Sequence, residues 1–308
     1  MKIKIRPTHL LIAGLVSTLP IKICTKQPIK FVDSVVDTVS FAKKPAKNIL
    51  VIDNFKMDDI DVNGDILADV SHGFVTSSMI EKNLPDAKVV KCHIFPEKGI
   101  NHNFIVDKFD SLLVSVLECI EKGKKFDAIN LSFGFSARYN VLSKKLGFTI
   151  TPENIADNAQ KVRNMMEKAD NQLMIQCLPA KKIAEVLEKM DKITSKGTKI
   201  YIAAGNSSDK SLNLLTLADN IVSVGGVNKK RGFVVYSDRN TLVNRYENGE
   251  VLSKSVDGGF DFTGDSKADV KKEETTALFN FTTILARFEG TSFATPRALV
   301  KDLLKNNE

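Results

Sequence analysis

Residues 290–296 read Gly-Thr-Ser-Phe-Ala-Thr-Pro, and the following stretch, 294–304, has the pattern of a helix. Ser292 is thus predicted at a helix start, where backbone N–H groups lack intrahelical acceptors and the dipole is positive. That setting favours a nucleophile that creates an oxyanion, and small neighbours leave room for a substrate carbonyl. The alternative is an ordinary helix cap. A nucleophilic serine needs a base and an orienting acid.

A candidate acid and base both occur upstream. Residues 48–53, Asn-Ile-Leu-Val-Ile-Asp, form a short apolar run that ends in Asp53. Such a run predicts a buried parallel strand with Asp53 at its carboxyl edge, where functional groups of α/β sheets gather. His72 opens a predicted helix over 74–82, with Ser71 as its cap. The alternatives are a strand-end acid that bonds the backbone and a structural histidine at a helix start.

A third element could stabilise negative charge. Residues 199–206 read Lys-Ile-Tyr-Ile-Ala-Ala-Gly-Asn, which is a predicted strand, then a glycine, then an amide. The side-chain amide of Asn206 could donate to a developing oxyanion. The alternative is a turn asparagine after Gly205.

The order Asp53, His72, Asn206, Ser292 resembles that of the subtilisin-like serine proteases, the subtilases. The family's Ala-Ala-Gly-Asn motif stands at residues 203–206. Its Gly-Thr-Ser-x-Ala-x-Pro motif is matched at every fixed position by Gly290, Thr291, Ser292, Ala294 and Pro296. Residues 130–134 look like the family's substrate-binding strand, in which Ser132, Phe133 and Gly134 would line the pocket for the residue before the scissile bond. The resemblance covers about residues 47–305.

The resemblance implies a serine endopeptidase that acts on polypeptides through an Asp-His-Ser triad and an acyl-enzyme, with no required cofactor and no catalytic metal. The surroundings of the acid and base depart from the family pattern, however. The chain has Asp53-Asn-Phe where the family usually has Asp-Thr-Gly or Asp-Ser-Gly, and His72-Gly-Phe-Val where it usually has His-Gly-Thr-His. These departures motivate an alternative, a catalytically impaired subtilase-like binding module. An α/β-hydrolase is less favoured because the chain has no G-x-S-x-G elbow.

Residues 59–65, Asp-Ile-Asp-Val-Asn-Gly-Asp, resemble the opening of a calcium loop, with oxygens at alternate positions and a glycine at the sharp turn. The closing bidentate glutamate would fall at position 70, which is Val70. A polar surface loop is therefore the main alternative, and calcium is an open possibility only.

Alternation of strands and helices predicts an α/β fold of three layers, a mostly parallel sheet with helices on both faces, which is the subtilisin-like architecture. A long segment between residues 135 and 198 reads as an insertion. Strands are predicted at 48–53, 87–94, 127–133, 199–204, 221–227, 233–236 and 278–285, and helices at 74–82, 107–122, 152–170, 179–196 and 294–304.

The amino terminus has the two parts of a secretory leader: basic residues before position 7 and an apolar stretch at 10–16. We expect residues 1–24 to be a signal peptide or anchor, 25–46 a linker, and 47–308 the peptidase domain. Export is the leading expectation, with a membrane-anchored or cytoplasmic protein as alternatives; the apolar stretch is too short for a stable membrane span. The net charge of +7 comes from dispersed lysines, so nucleic acid is not an expected partner. The oligomeric state stays open.

Overall fold

A computed structural model describes residues 47–55, 72–96, 101–169, 174–175, 178–257, 259–261, 266–267, 270–271 and 285–305. The predicted leader, the linker and the calcium-loop candidate at 59–65 lie outside these ranges, as does almost all of the predicted strand at 278–285.

The described residues form fourteen strands and six α-helices. The strands are β1 Asn48–Asp53, β2 Lys88–His93, β3 Ala128–Leu131, β4 Ser136–Arg138, β5 Met174–Ile175, β6 Leu178–Pro179, β7 Lys199–Ala203, β8 Ser211–Asn213, β9 Val222–Val227, β10 Arg245–Asn248, β11 Glu250–Val256, β12 Gly259–Asp261, β13 Val270–Lys271 and β14 Leu285–Glu289. The helices are α1 His72–Asn83, α2 His102–Glu121, α3 Tyr139–Leu146, α4 Ile155–Glu167, α5 Ala180–Ser195 and α6 Thr291–Lys305.

The central sheet has the order β10-β9-β7-β3-β1-β2, and each neighbouring pair in it is parallel. Strand β1 is buried along its whole length, as its apolar run predicts. Its side chains alternate between two cores, because successive residues of a strand point to opposite faces. Leu50 and Ile52 pack with α2, α4 and α5, whereas Ile49 and Val51 pack with α1 and α6. The predicted three-layer α/β architecture is confirmed.

This topology gathers the predicted site residues at one edge of the sheet. Strands β7, β3 and β1 are neighbours, and because they are parallel, their carboxyl ends lie at the same edge. Asp53 ends β1, Ser132 follows β3, and Asn206 comes three residues after β7. Helix α6 packs its Ala294, Ala298 and Leu299 against the sheet, which brings Ser292 to the same edge.

Several predicted boundaries are wrong, for local reasons. Helix α2 begins at His102 rather than Asp107, because the Asn101 side chain caps it by accepting from the Phe104 N–H at 3.1 Å. Helix α4 begins at Ile155 rather than Pro152, since Thr151 and Asn154 form a turn in which the Thr151 N–H donates to the Asn154 carboxamide at 2.9 Å.

The predicted strand at 233–236 is also wrong. The segment makes one bridge, from Val227 to Phe233, and then turns. The segment predicted as an insertion contains α3, α4 and α5 together with short β-pairs, and α5 packs against the sheet as part of the main core. Among the described residues, we find no helix with the length and apolar character needed to cross a membrane.

Candidate active site

Asp53 is a buried carboxylate whose oxygens are occupied by three kinds of donor. The side chain is 2% exposed. Its Oδ1 accepts from the Asn54 N–H at 2.7 Å, and its Oδ2 accepts from the Thr76 hydroxyl at 3.0 Å. Both oxygens lie within hydrogen-bond distance of His72 Nδ1, at 2.8 and 3.0 Å. These bonds fix the carboxylate against the imidazole.

His72 is the first residue of α1, and its side chain is 35% exposed. With Nδ1 donating to Asp53, Nε2 carries the lone pair and can accept a proton. Burial lowers the pKa of His72, but the charge and hydrogen bond of Asp53 together outweigh it, so the pKa is raised above its ordinary value of 6.5. The ring centroid of Phe293 lies 5.3 Å from that of His72.

The glycine after His72 permits this close arrangement. The Gly73 N–H donates to the Asn54 carbonyl at 2.7 Å, which joins the start of α1 to the end of β1. A Cβ at Gly73 would lie 2.6 Å from that carbonyl oxygen and 2.9 Å from the Asp53 Cβ. Any side chain at position 73 would therefore push the histidine away from its acid.

Ser292 lies in the first turn of α6, where its N–H has no intrahelical acceptor. Its carbonyl lacks the usual helical hydrogen bond, because the residue four positions on is Pro296, which has no N–H to donate. The Ser132 hydroxyl donates to this carbonyl instead, at 2.8 Å, and itself accepts from the Asn130 amide at 2.9 Å. Strand β3 thus anchors the helix that carries the candidate nucleophile.

Asn206 is held by the residue that precedes the serine. Its Oδ1 accepts from both the Thr291 N–H at 2.9 Å and the Thr291 hydroxyl at 3.0 Å. Because the oxygen is occupied in this way, the amide nitrogen is the free end of the side chain. The Thr291 hydroxyl oxygen also accepts from the Gly205 N–H at 3.2 Å, so the two segments support each other.

The serine hydroxyl and the Asn206 amide lie beside the same glycine. A Cβ on Gly290 would lie 2.9 Å from Ser292 Oγ and 3.3 Å from Asn206 Nδ2, so a side chain at position 290 would crowd both atoms. Attack on a carbonyl requires a nucleophile for its carbon and a hydrogen-bond donor for its oxygen, and a hydroxyl and an amide are groups of these two kinds.

Residues 132–134, predicted as part of a substrate-binding strand, follow β3 without belonging to it, because the strand ends at Leu131. The Ser132 side chain is buried and bonds Ser292, so the pocket does not receive its hydroxyl. The Phe133 ring stacks edge-on with Phe109 and Phe135, at centroid distances of 5.3 and 5.9 Å. Gly134 is exposed, and a Cβ there would lie 2.1 Å from the Asn213 amide nitrogen. A role of these residues in substrate binding therefore stays a prediction, and it would have to use their backbone.

Among the described residues, Ser292 and His72 are not hydrogen-bonded to each other. Nucleophile and base in apo sites often tighten into contact only when substrate is bound. The structure therefore brings Asp53 to His72, and Asn206 to Ser292, while the two halves meet through the contact of Phe293 with the imidazole.

Sequence reasoning missed Thr76 as part of the site. Its side chain is fully buried and its hydroxyl lies within reach of both the Asp53 carboxylate and the Gly73 carbonyl, at 3.0 and 3.1 Å. The signal was present, because a residue four positions after His72 lies on the same face of a helix. In this chain that threonine supplies the hydroxyl donor to the acid.

A parallel α/β sheet with an acid–histidine pair and a serine at a helix start defines a serine-hydrolase type of site. The subtilase family model matches residues 61–298, and the chain belongs to the subtilase family of serine proteases. His72, Asn206 and Ser292 lie within the matched range, and Asp53 precedes it.

Solved structures of similar fold include three proteases of low identity. A lanthipeptide protease is 15% identical with a TM-score of 0.46, and the match covers 83% of this chain and 72% of that one. The patellamide maturation protease PatA is 15% identical with a TM-score of 0.46, covering 85% and 80%. A cold-adapted subtilisin-like serine proteinase is 13% identical with a TM-score of 0.45, covering 85% and 76%. No curated protein matches the chain.

Proposed function

We propose that this protein is a serine endopeptidase that hydrolyses peptide bonds through Asp53, His72 and Ser292 by way of an acyl-enzyme. The observation that carries the proposal is that the Asp53–His72 pair lies at the same edge of the sheet as Ser292 and Asn206, whose side chains both lie beside Gly290. Membership of the subtilase family supports a polypeptide substrate.

In the proposed reaction, Ser292 Oγ attacks the scissile carbonyl while His72 Nε2 takes its proton. Asp53 holds the imidazole in the tautomer that leaves Nε2 unprotonated and stabilises the imidazolium that forms. The carbonyl oxygen becomes negative and accepts from the Asn206 amide and the Ser292 N–H. His72 then protonates the leaving amine. The C–N bond breaks as the amine leaves, and the acyl group stays on Ser292 Oγ. In the second half, His72 takes a proton from water as the water oxygen attacks the acyl carbon, and then returns that proton to Ser292 Oγ as the ester C–O bond breaks.

The test uses a fluorophosphonate probe, which labels an activated serine, together with cleavage of a mixed peptide library read by mass spectrometry. We expect the wild-type chain to be labelled and to cleave peptides, and Ser292→Ala to do neither. Ser223→Ala is the matched control. Ser223 is a buried serine whose hydroxyl has no partner among the described residues, so its variant should fold and label normally.

Two results would contradict the proposal. Equal labelling of Ser292→Ala would place the nucleophile elsewhere. A wild-type chain that binds peptides from the library but neither cleaves them nor is labelled would instead support the alternative of a subtilase-like binding module. That alternative is motivated by the sequence departures around Asp53 and His72, and the described residues add that Ser292 and His72 are not hydrogen-bonded to each other.

A further inference from the structure

The loop that carries the Asn206 amide has an unfavourable backbone conformation. Gly205 has φ +122°, which side-chain-bearing residues rarely adopt. Ser208 and Asp209 follow with φ of +55° and +62°, in the left-handed region that non-glycine residues visit at a cost. Such conformations cost of order 1–3 kcal/mol each and persist only where the surroundings fix them. Something must therefore hold residues 205–209 in place.

The carboxylate of Asp238 holds residues 205–209 in place by hydrogen bonds. Its Oδ1 accepts three hydrogen bonds from the loop: from the Ser207 N–H at 3.0 Å, the Ser207 hydroxyl at 2.8 Å and the Asp209 N–H at 2.8 Å. Asp238 is 1% exposed, so these bonds form away from bulk water. Hydrogen bonds to a charged acceptor are about twice as strong as neutral ones.

The backbone of the Asp238 segment adds two further attachments. The Asp238 N–H donates to the Gly205 carbonyl at 3.0 Å, and the Ser208 N–H donates to the Tyr236 carbonyl at 3.0 Å. The second carboxylate oxygen, Oδ2, packs directly against Gly205, since a Cβ there would lie 2.2 Å from it. The residue on each side of Asn206 is thus held by Asp238.

We infer that Asp238 is a positioning residue for the oxyanion site, a role that rests on the proposed peptidase function. Asp238 fixes the backbone of Gly205 and Ser207, and Thr291 fixes the Asn206 oxygen from the other side. With its oxygen held by Thr291, the Asn206 side chain has its amide nitrogen beside Gly290, 3.3 Å from where a Cβ of that residue would lie. A donor held in advance stabilises a forming oxyanion without reorganising during the reaction.

Burial makes the charged form of the Asp238 carboxyl group unfavourable. Burial raises the pKa of its carboxyl to about 6, although the loop hydrogen bonds lower it. The charge of Asp209 raises this pKa further, and Asp209 is itself ion-paired with Arg239 at 3.1 Å. Asparagine would have nearly the same shape without this burial cost. Costly buried charges concentrate at functional sites, which agrees with the geometry.

The test is a double-mutant cycle of Asp238→Asn with Asn206→Ala, measured as kcat and KM on one fluorogenic peptide. The asparagine weakens the three loop hydrogen bonds and frees the amide to move, so we expect kcat to fall by roughly 10-fold with KM changed by less than about 3-fold. In the Asn206→Ala background the same change should alter kcat by less than about 2-fold, because the group that Asp238 positions is already gone. Equal losses in both backgrounds would overturn the inference.

Two further variants guard against trivial results. Asp191→Asn is the control. The Asp191 carboxylate accepts from a backbone N–H, that of Asp219, and pairs with Arg163, but it is more exposed than Asp238 and lies on α5, away from the site. It should lower stability and leave kcat unchanged. Should Asp238→Asn fail to fold, Ser207→Ala removes one of the three bonds to Asp238, together with the bonds that the Ser207 hydroxyl accepts from the Lys210 and Ser211 N–H groups. We then expect a smaller kcat loss that again vanishes without the Asn206 amide, and a loss that persists would refute the role.

Failure of this inference and failure of the proposed function give different results. If Ser292→Ala retains wild-type turnover, the peptidase assignment fails whatever the cycle shows. If Ser292→Ala abolishes turnover and the cycle is additive, the assignment stands and Asp238 has only a structural role.

Discussion

Replacing Ser132 with alanine removes the hydroxyl that bonds the carbonyl of the candidate nucleophile. In an uninterrupted helix, that carbonyl would accept from the N–H of residue 296. Because residue 296 is a proline, the Ser132 hydroxyl at 2.8 Å is its substitute donor. The alanine variant therefore leaves the Ser292 carbonyl unpaired in a site where Ser292 is 7% exposed. It also leaves the Asn130 amide without the acceptor that it now has at 2.9 Å.

The size of the effect follows from these two orphaned groups. A buried polar group left unpaired costs about 1–3 kcal/mol, so we expect Ser132→Ala to lower the free energy of unfolding by about 2–6 kcal/mol. In a domain of this size, each kcal/mol shifts Tm by about 2–4 °C. The variant should therefore melt at least roughly 4 °C below the parent.

The assay is denaturant unfolding in a Ser292→Ala background, which prevents the protein from digesting itself and keeps the carbonyl at position 292. Pro296→Ala is the partner change, because it restores an N–H that can bond that carbonyl from within the helix. We expect Ser132→Ala to cost about 1 kcal/mol less in the Pro296→Ala background, which is a coupling of the size seen between groups that share a partner.

Two outcomes would refute this reasoning. If the free energy of unfolding of Ser132→Ala lies within about 0.5 kcal/mol of that of its parent, the effect is no larger than that of an ordinary surface substitution. The Ser292 carbonyl would then be hydrogen-bonded to water in the variant. An additive cycle would mean that the proline and the Ser132 hydroxyl are unrelated.

Four further predictions concern the same site. Thr76→Val should lower the free energy of unfolding by about 1.5–3 kcal/mol, because it removes a hydroxyl donor to the buried Asp53 carboxylate. Thr76→Ser keeps that hydroxyl and is the control. Equal stability of the two variants in denaturant titration would contradict the prediction. Gly205→Ala adds a methyl 2.2 Å from the Asp238 carboxylate at φ +122° and should cost at least about 1 kcal/mol in thermal unfolding, with an unchanged Tm as the opposing result. Asp53 raises the pKa of His72, and a general base must be neutral, so kcat/KM should rise with pH through a midpoint above 6.5. Asp53→Asn should lower that midpoint. The Asp53–His72 pair also stabilises the folded state below pH 6.5, and this contribution is lost as pH rises through the pKa of His72 in the folded protein. Titration of Asp238 should make stability fall with rising pH. Its pKa is raised from 3.8 to about 6 in the folded state, so between these two pH values the folded protein binds more protons than the unfolded one, and the free energy of unfolding should fall by roughly 3 kcal/mol relative to that of Asp238→Asn. A stability difference between the two proteins that does not change with pH would contradict this prediction.

Strands and helices with an unambiguous pattern could be predicted from the sequence, and these are the elements that position the site. The run 48–53 has six buried residues and is too short and too β-branched for a helix, so both its type and its final acid follow from the residues. The serine segment was predictable for a different reason: small residues, a helix start and a proline occur together. These signals are local, and the parallel topology then places them at one edge.

Predictions failed where tertiary contacts decide the structure. Phe233 and Val235 have the composition of a strand, but they are 58% and 80% exposed, and the chain turns so that Tyr236 and Asp238 reach the loop at 205–209. That approach joins residues about thirty positions apart, which no pattern within either segment encodes. The start of α2 failed because Asn101 and Asp107 are both acceptable caps, and only packing selects between them.

The position of α6 in the chain has a consequence for biosynthesis. Its residues Ala294, Ala298 and Leu299 cover Val51, Tyr201 and other apolar side chains on one side of the central sheet. All strands of that sheet are synthesised before this helix, so the apolar surface that the helix covers stays exposed to solvent until the helix has been made and has packed. Ser292 lies on the helix that covers this side of the sheet. If the proposed function is correct, a partly synthesised chain lacks its nucleophile, and hydrolysis can begin only after this last helix has packed.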